Sequence, residues 1–141
     1  MDRRKRNKLC IWLIFLGVIN VTAYTAVYAC IGGDAINGYI SETGEYVLRG
    51  HFIRGTRGGE APCSRGVWFY SYFHSLSIIP TCVAILVPLM ILARPHIIAT
   101  MREGSWVQGT TFISVSMTLV IALAVIVTFW FCLQFINQLW G

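Results

Sequence analysis

The chain has 141 residues, enough for one compact unit. Hydrophobic residues make up 56% of it and charged residues 12%, about half the charge of an ordinary soluble domain, which excludes that class. The net charge of +5 lies mostly at the N-terminus, where anionic lipid headgroups rather than nucleic acid are the expected counter-charge.

Three long apolar runs dominate the sequence, at residues 9–31, 67–93 and 109–139. About 20 apolar residues in a helix cross the hydrocarbon core of a bilayer, and each run reaches that length. None of them shows the two-residue alternation of a strand. The sequence therefore predicts an all-α integral membrane protein, a single membrane domain over residues 1–141 with three transmembrane helices.

The first run follows a basic tail at residues 1–8 that contains "RRKRNK". A signal peptide is the alternative interpretation, but the apolar stretch is longer than a usual signal core. It also ends in "VYAC", with Tyr28 where a cleavage box carries a small residue. We therefore expect a retained anchor helix.

Basic residues near the helix ends predict the orientation. The tail and the loop at residues 94–108 carry unbalanced positive charge, whereas four arginines in residues 32–66 are matched by four acidic residues. Because cytoplasmic loops are enriched in Lys and Arg, we expect the N-terminus inside and residues 32–66 and the C-terminus periplasmic or extracellular. Tryptophans expected at the membrane boundaries agree: Trp12 and Trp106 on the inner side, Trp68 and Trp140 on the outer side.

The outer loop at residues 32–66 contains a predicted β-hairpin. "GYIS" and "EYVLR" flank "ETGE", with strand-favouring side chains around Gly44, which suits a tight turn. "GGDAING" before it is expected to cap a turn, with a cation site as the alternative. "RGTRGGEAP" after it is expected to be a mobile, solvated segment, with anion binding as the alternative. As an isolated hairpin is marginally stable, we expect it to dock on a partner or on the membrane surface. The expected docking residues are Asp34, Asn37, Arg49 and His51.

Five cysteines are present, without the spacing of a metal site. In the predicted topology Cys30 and Cys63 lie on the same outer side, at the two ends of the loop. They are candidates for a disulfide that closes its base, and two unpaired thiols are the alternative.

Polar side chains form stripes within the apolar runs. Because polar groups facing lipid are costly, these stripes are expected to face the bundle interior or a subunit contact, and to tie the second helix to the first. The expected interhelical polar site, which is also the possible ligand site, comprises Tyr70, His74, Ser77 and Thr81 on the second helix and Asn20, Tyr24 and Tyr28 on the first. Thr111, Ser114 and Thr118 form a third stripe.

His74 is the one histidine within an apolar run. We expect it to hydrogen-bond Asn20, Tyr24 or loop backbone. A haem or metal site shared with His51, or a proton-linked or quinone-binding role, remains open. No cofactor and no metal are predicted as such, although haem, quinone or bound lipid are possible.

No enzyme signature is present: the sequence lacks a recognisable catalytic set, an H-E-x-x-H motif and a phosphate-binding glycine loop. Three helices bury little surface alone. The expected function is that of an accessory or assembly subunit that docks on a larger membrane complex, with membrane lipids and other subunits as partners. The alternatives are a homo-oligomeric channel or small-solute carrier, and a haem-, quinone- or lipid-handling enzyme that uses His74.

Overall fold

In the computed structural model, residues 2–50, 59–102 and 107–140 are described. The chain forms helices α1 (Arg3–Ile31), α2 (Arg65–Met101) and α3 (Gly109–Trp140), with strands β1 (Asp34–Ile40), β2 (Tyr46–Arg49) and β3 (Glu60–Cys63) between α1 and α2. All three helices are long and apolar enough to cross a membrane. The three predicted helices are therefore confirmed at the level of length and composition.

The helices extend beyond the apolar runs. Helix α1 begins in the basic tail, where the Asp2 carboxylate accepts from the backbone N–H of Arg4, and it ends at Gly32, whose φ of 94° is left-handed. Helix α2 begins after Ser64, whose hydroxyl accepts from the Val67 N–H. It continues through Pro95 to Met101, so much of the segment expected to be a loop from residue 94 is helical.

Helix α2 is the central helix of the bundle. It packs against α1 on one side and α3 on the other, whereas among the described residues α1 and α3 hardly meet. The close approaches need glycine. A Cβ at Gly17 would lie 2.5 Å from Cγ1 of Ile85, and one at Gly109 would lie 2.9 Å from the Cα of Ile98. The bundle is thus a layer with α2 in the middle.

The predicted hairpin is confirmed, and it is part of a larger sheet. Strands β1 and β2 pair antiparallel, with Tyr39 opposite Val47, and the intervening turn uses Gly44 at a φ of 78°. Strand β3 then pairs antiparallel with β2 to give the order β1-β2-β3. The prediction that "RGTRGGEAP" is a mobile segment is wrong for its last three residues, which lie in β3. Residues 54–58 of this segment lie outside the described residues.

The core lies where the sheet meets the helices, at what we call the sheet end of the bundle. Ala35, Leu48, Trp68 and Tyr72 are fully buried there. The Trp68 ring stacks on that of Phe135 of α3, with centroids 6.1 Å apart. Trp68 is therefore a core residue covered by the sheet rather than an exposed side chain at a membrane surface.

Trp12 and Trp140 are exposed on the bundle surface, and their positions at the membrane boundaries stay predictions. Trp106 lies outside the described residues.

The predicted disulfide is not formed: Cys30 and Cys63 are both free. The two thiols lie in different elements, Cys30 in α1 and Cys63 in β3. Cys63 instead packs against the core beside Trp68, while Cys30 is exposed on α1. Burial raises the pKa of the Cys63 thiol above its ordinary value.

Candidate functional site

Three of the predicted site residues meet between α1 and α2, midway along the helices. The side-chain amide of Asn20 donates to Thr81 Oγ1 at 2.8 Å and to Ser77 Oγ at 3.3 Å. The two hydroxyls in turn donate to carbonyls of their own helix, Thr81 to Ser77 O and Ser77 to His74 O, both at 2.7 Å. The cluster joins the helices and leaves its hydroxyl donors satisfied.

A second cluster lies at the sheet end. The Tyr24 hydroxyl donates to Asp34 Oδ2 at 3.2 Å and accepts from Ser75 Oγ at 3.4 Å. Asp34 is buried at the start of β1 and also accepts from the backbone N–H and the side-chain amide of Asn37. Within the described part of the chain this carboxylate has donors but no basic partner. The predicted docking residue Asp34 is thus used internally, as a turn and helix contact.

His74 is half-buried beside this cluster. Its Nδ1 is 3.1 Å from the hydroxyl of Tyr70, one turn away on the same helix, and its ring meets the Tyr24 ring edge-on at 5.4 Å. The hydrogen-bond partner is therefore Tyr70 rather than Asn20, Tyr24 or loop backbone, and Tyr70 itself is exposed. Tyr28 packs against Tyr24, with ring centroids 6.1 Å apart.

The sheet is joined to all three helices, through contacts that the sequence did not reveal. The Ser71 hydroxyl of α2 accepts from the Ala35 N–H of β1 at 3.1 Å, and the Gln138 amide of α3 donates to the Gly38 carbonyl at 3.4 Å. With Tyr24 of α1 on Asp34, each helix contributes one polar contact to β1. Ser71 and Ser75 follow Trp68 at helical spacing, and that pattern is the signal that could have pointed to the buried face.

Among the other predicted docking residues, Asn37 is exposed but belongs to the second cluster through its two hydrogen bonds to Asp34. Arg49 lies on the outer face of the sheet, 3.9 Å from Glu60. His51 lies outside the described residues, so the proposed pairing of His51 with His74 falls there too. His96 is exposed toward the opposite end of α2.

The third stripe points away from the bundle. Thr111, Ser114 and Thr118 are exposed on α3, while Gly109 and Ile113 face α2. The stripe was expected to face either the bundle interior or a contact with another subunit. The first expectation is wrong, because these side chains do not face the interior of this bundle.

Cavities at these positions are small or apolar. A groove of about 340 Å³ opens between Pro80 and Val83 of α2 and Ala124 and Thr128 of α3, and a crevice with no room for a water molecule lies beside Tyr24. The residues that the structure describes contain no group of three His, Cys, Asp or Glu side chains that could hold a metal ion. The chemistry that the site offers is hydrogen bonding between helices and sheet.

Comparison with known proteins yields no relative. No protein-family model, no curated protein and no solved structure matches this chain.

Proposed function

We propose that this protein is a small integral membrane subunit that docks on a larger membrane complex and supports its assembly. The observation that carries the proposal is the sheet fixed to all three helices by Tyr24, Ser71 and Gln138. These contacts hold the sheet on the bundle as a platform. A rigid platform loses little conformational entropy when a partner binds, which favours docking.

The outer face of this platform has the composition of a contact surface. It carries Tyr39, Arg49, Glu60 and Pro62, and Tyr39 donates to Glu60 at 3.2 Å. Tyr and Arg are enriched where proteins bind one another. The long ion pair between Arg49 and Glu60 is partly exposed to solvent and contributes little to stability, so a partner could replace it at little cost.

The small amount of helix surface that the chain buries also supports the proposal. Among the most apolar segments of the three helices, at most 11% of the residues are buried. Large apolar helix surfaces are therefore left for lipid or for other subunits.

The sidedness proposed with this function places the basic tail in the cytoplasm and the sheet on the periplasmic or extracellular side. Single cysteines replacing Lys5 and Thr43, in a cysteine-free background, test it with a membrane-impermeant maleimide. Labelling of Thr43→Cys but not of Lys5→Cys in sealed cells is the expected result. The reverse pattern would invert the orientation.

The docking role is tested by purifying the tagged protein from its native membrane in mild detergent and identifying what accompanies it by mass spectrometry. We expect a defined set of unrelated membrane proteins at constant stoichiometry. Arg49→Glu, on the platform, should weaken their retention, whereas Glu42→Arg, an exposed charge reversal of equal size in the turn, should not. Wild-type protein that elutes with lipid and detergent alone would refute the proposal.

A further inference from the structure

The end of the bundle that lies away from the sheet is strongly basic, and two helices contribute to it. Seven basic residues lie in the first turns of α1 and in or just after the last turns of α2, and all are exposed: Arg3, Arg4, Lys5, Arg6, Lys8, Arg94 and Arg102. Of the two acidic residues next to them in sequence, Asp2 caps α1 and Glu103 lies outside the described residues. Within the part of the chain that the structure describes, none of the seven forms an ion pair. We call this end the basic end.

Contacts in the middle of the bundle fix the relative level of the two helices. Asn20 of α1 bonds both Ser77 and Thr81 of α2, and α1 runs antiparallel to α2. An equal number of helical residues from that contact toward the basic end reaches Lys5 on α1 and Arg94 on α2. The basic turns of α1 and those of α2 are therefore level with each other on neighbouring helices. The loop expected from residue 94 gave no such arrangement.

Arg3 and Arg6 lie on the side of α1 that faces α2. That side is marked by Gly17, which packs against Ile85 of α2, and by the buried Cys10. Arg6 precedes Cys10 by four residues and Arg3 precedes it by seven, so both continue the same stripe at helical spacing. Two guanidinium groups of α1 are thus directed toward the neighbouring helix.

His96 and Ala99 lie on the side of α2 that faces α1. His96 stands about three helical turns beyond Ile85, and Ala99 about five turns beyond Thr81, two residues that contact α1. Pro88 on the same side is buried, whereas His96 and even the small side chain of Ala99 are exposed. The facing sides of α1 and α2 are thus covered in the middle of the bundle and uncovered at the basic end.

The uncovered space between the two helices, which we call the basic cleft and define by Arg3, Arg6 and His96, lies at the level of lipid headgroups. The apolar stretch of α2 between its flanking arginines centres near Pro80, level with Asn20. A helix rises about 1.5 Å per residue, so Arg6 lies about 21 Å from this centre. The hydrocarbon core extends about 15 Å from the bilayer centre, and the headgroup region ends at about 20–22 Å. The long side chain of Arg3, one turn further out, can reach back to that region.

We propose that the basic cleft binds the phosphate headgroup of one anionic phospholipid. A guanidinium group gives a phosphate two parallel hydrogen bonds, so Arg3 and Arg6 together can hold one headgroup in a fixed position, with the His96 ring as a further hydrogen-bonding group on the opposite wall. Phospholipid phosphates are concentrated at the level of the cleft, and the cleft has no acidic residue of its own among the described residues. The proposal is independent of the accessory role and of the orientation of the chain, because both membrane surfaces carry headgroups.

A specific site and a diffuse attraction between basic residues and anionic lipid predict different results for two matched variants. Arg3→Gln with Arg6→Gln removes two charges from the cleft, whereas Lys5→Gln with Lys8→Gln removes two exposed charges about 140–160° around the same helix from Cys10. The measurement is native mass spectrometry of the full chain in mild detergent at about 0.15 M ionic strength, where charges more than about 8 Å apart are screened. Phosphatidylglycerol is titrated in, with phosphatidylcholine as the zwitterionic comparison.

We expect the wild-type chain to bind one molecule of phosphatidylglycerol in preference to phosphatidylcholine. The arginine pair should weaken this binding about 25-fold, since each basic residue near anionic lipid contributes about fivefold. The lysine pair should weaken it less than about threefold. Equal weakening by the two pairs, or equal binding of the two lipids by the wild-type chain, would overturn the proposal in favour of diffuse attraction.

The second wall of the cleft and the nature of the anion are tested in the same assay. His96→Leu should weaken binding more than Arg94→Gln, because Arg94 lies on the opposite side of α2 from Ile85. If His96→Leu weakens binding no more than Arg94→Gln, the lipid does not lie between the two helices and the cleft is refuted. Inorganic phosphate in excess should not displace the lipid; displacement would assign the cleft to a free anion instead. Lipid binding and co-purification of foreign subunits are separate measurements, so failure of one leaves the other interpretable.

Discussion

Replacing Asn20 by leucine should loosen the pairing of α1 with α2 by a calculable amount. The change removes hydrogen bonds of 2.8 Å to Thr81 and 3.3 Å to Ser77. Interhelical hydrogen bonds in membranes contribute about 0.6 kcal/mol on average and at most about 1.7 kcal/mol. Both hydroxyls still donate to carbonyls of α2, so no buried donor is orphaned. We therefore expect a loss of about 1–2 kcal/mol in the free energy of unfolding.

The measurement is unfolding by SDS titration from a mild-detergent micelle, followed by tryptophan fluorescence. A double-mutant cycle of Asn20→Leu with Thr81→Val should give a coupling free energy of about 0.6–1.7 kcal/mol. Thr22→Val is the control: its hydroxyl is exposed and bonds its own helix, so the change should stay within about 0.5 kcal/mol. An Asn20→Leu variant as stable as Thr22→Val, or a coupling of zero, would refute the reasoning.

Three further substitutions or measurements test the sheet end. A Cβ at Gly38 would lie 2.1 Å from a carbonyl oxygen of the neighbouring strand, so Gly38→Ala should lower the free energy of unfolding by about 3 kcal/mol. Gly66→Ala is the control: because the space around Gly66 is open, this change should be neutral or slightly stabilising. Trp68→Ala should cost about 3–5 kcal/mol in the same titration, and a cost below 1 kcal/mol would contradict its place in the core. The intact mass should show both Cys30 and Cys63 reduced, and Cys63 should be alkylated more slowly in the folded protein than after unfolding. Burial raises the pKa of the Cys63 thiol above its ordinary value of 9.0, so folding favours the neutral thiol. As the pH rises above that value, the folded protein should therefore lose stability and its Cys63 should be alkylated faster. An alkylation rate that does not depend on folding would argue against the burial of Cys63.

The helices could be predicted from the sequence because the bilayer fixes their length and excludes charge. The hairpin was also visible, since Gly44 and the strand-favouring residues around it are local signals. Strand β3 was not, because "EAPC" is short and contains a proline, and it becomes a strand only by pairing with β2. The sheet then covers Trp68, which local sequence had suggested for a membrane boundary.

In the candidate site, too, some contacts could be predicted from the sequence and others could not. The contact of Asn20 with Ser77 and Thr81 follows from helical spacing, which puts these residues on facing sides of two helices. The roles of Ser71 and Gln138 do not follow from spacing, because they depend on where the edge of β1 lies. The pairing of Cys30 with Cys63 was inferred from their common side of the membrane, and sidedness alone says nothing of the distance between two residues.

The contact of Gln138 with Gly38 has a consequence for biosynthesis. The two residues are 100 positions apart, and Gln138 lies in the last turn of α3. While the polypeptide is being made, β1 therefore lacks its contact with α3 until that helix has been synthesised. A product that stops just before Gln138 would keep three apolar helices for insertion and yet leave a strand edge open, the kind of surface to which other chains add a strand.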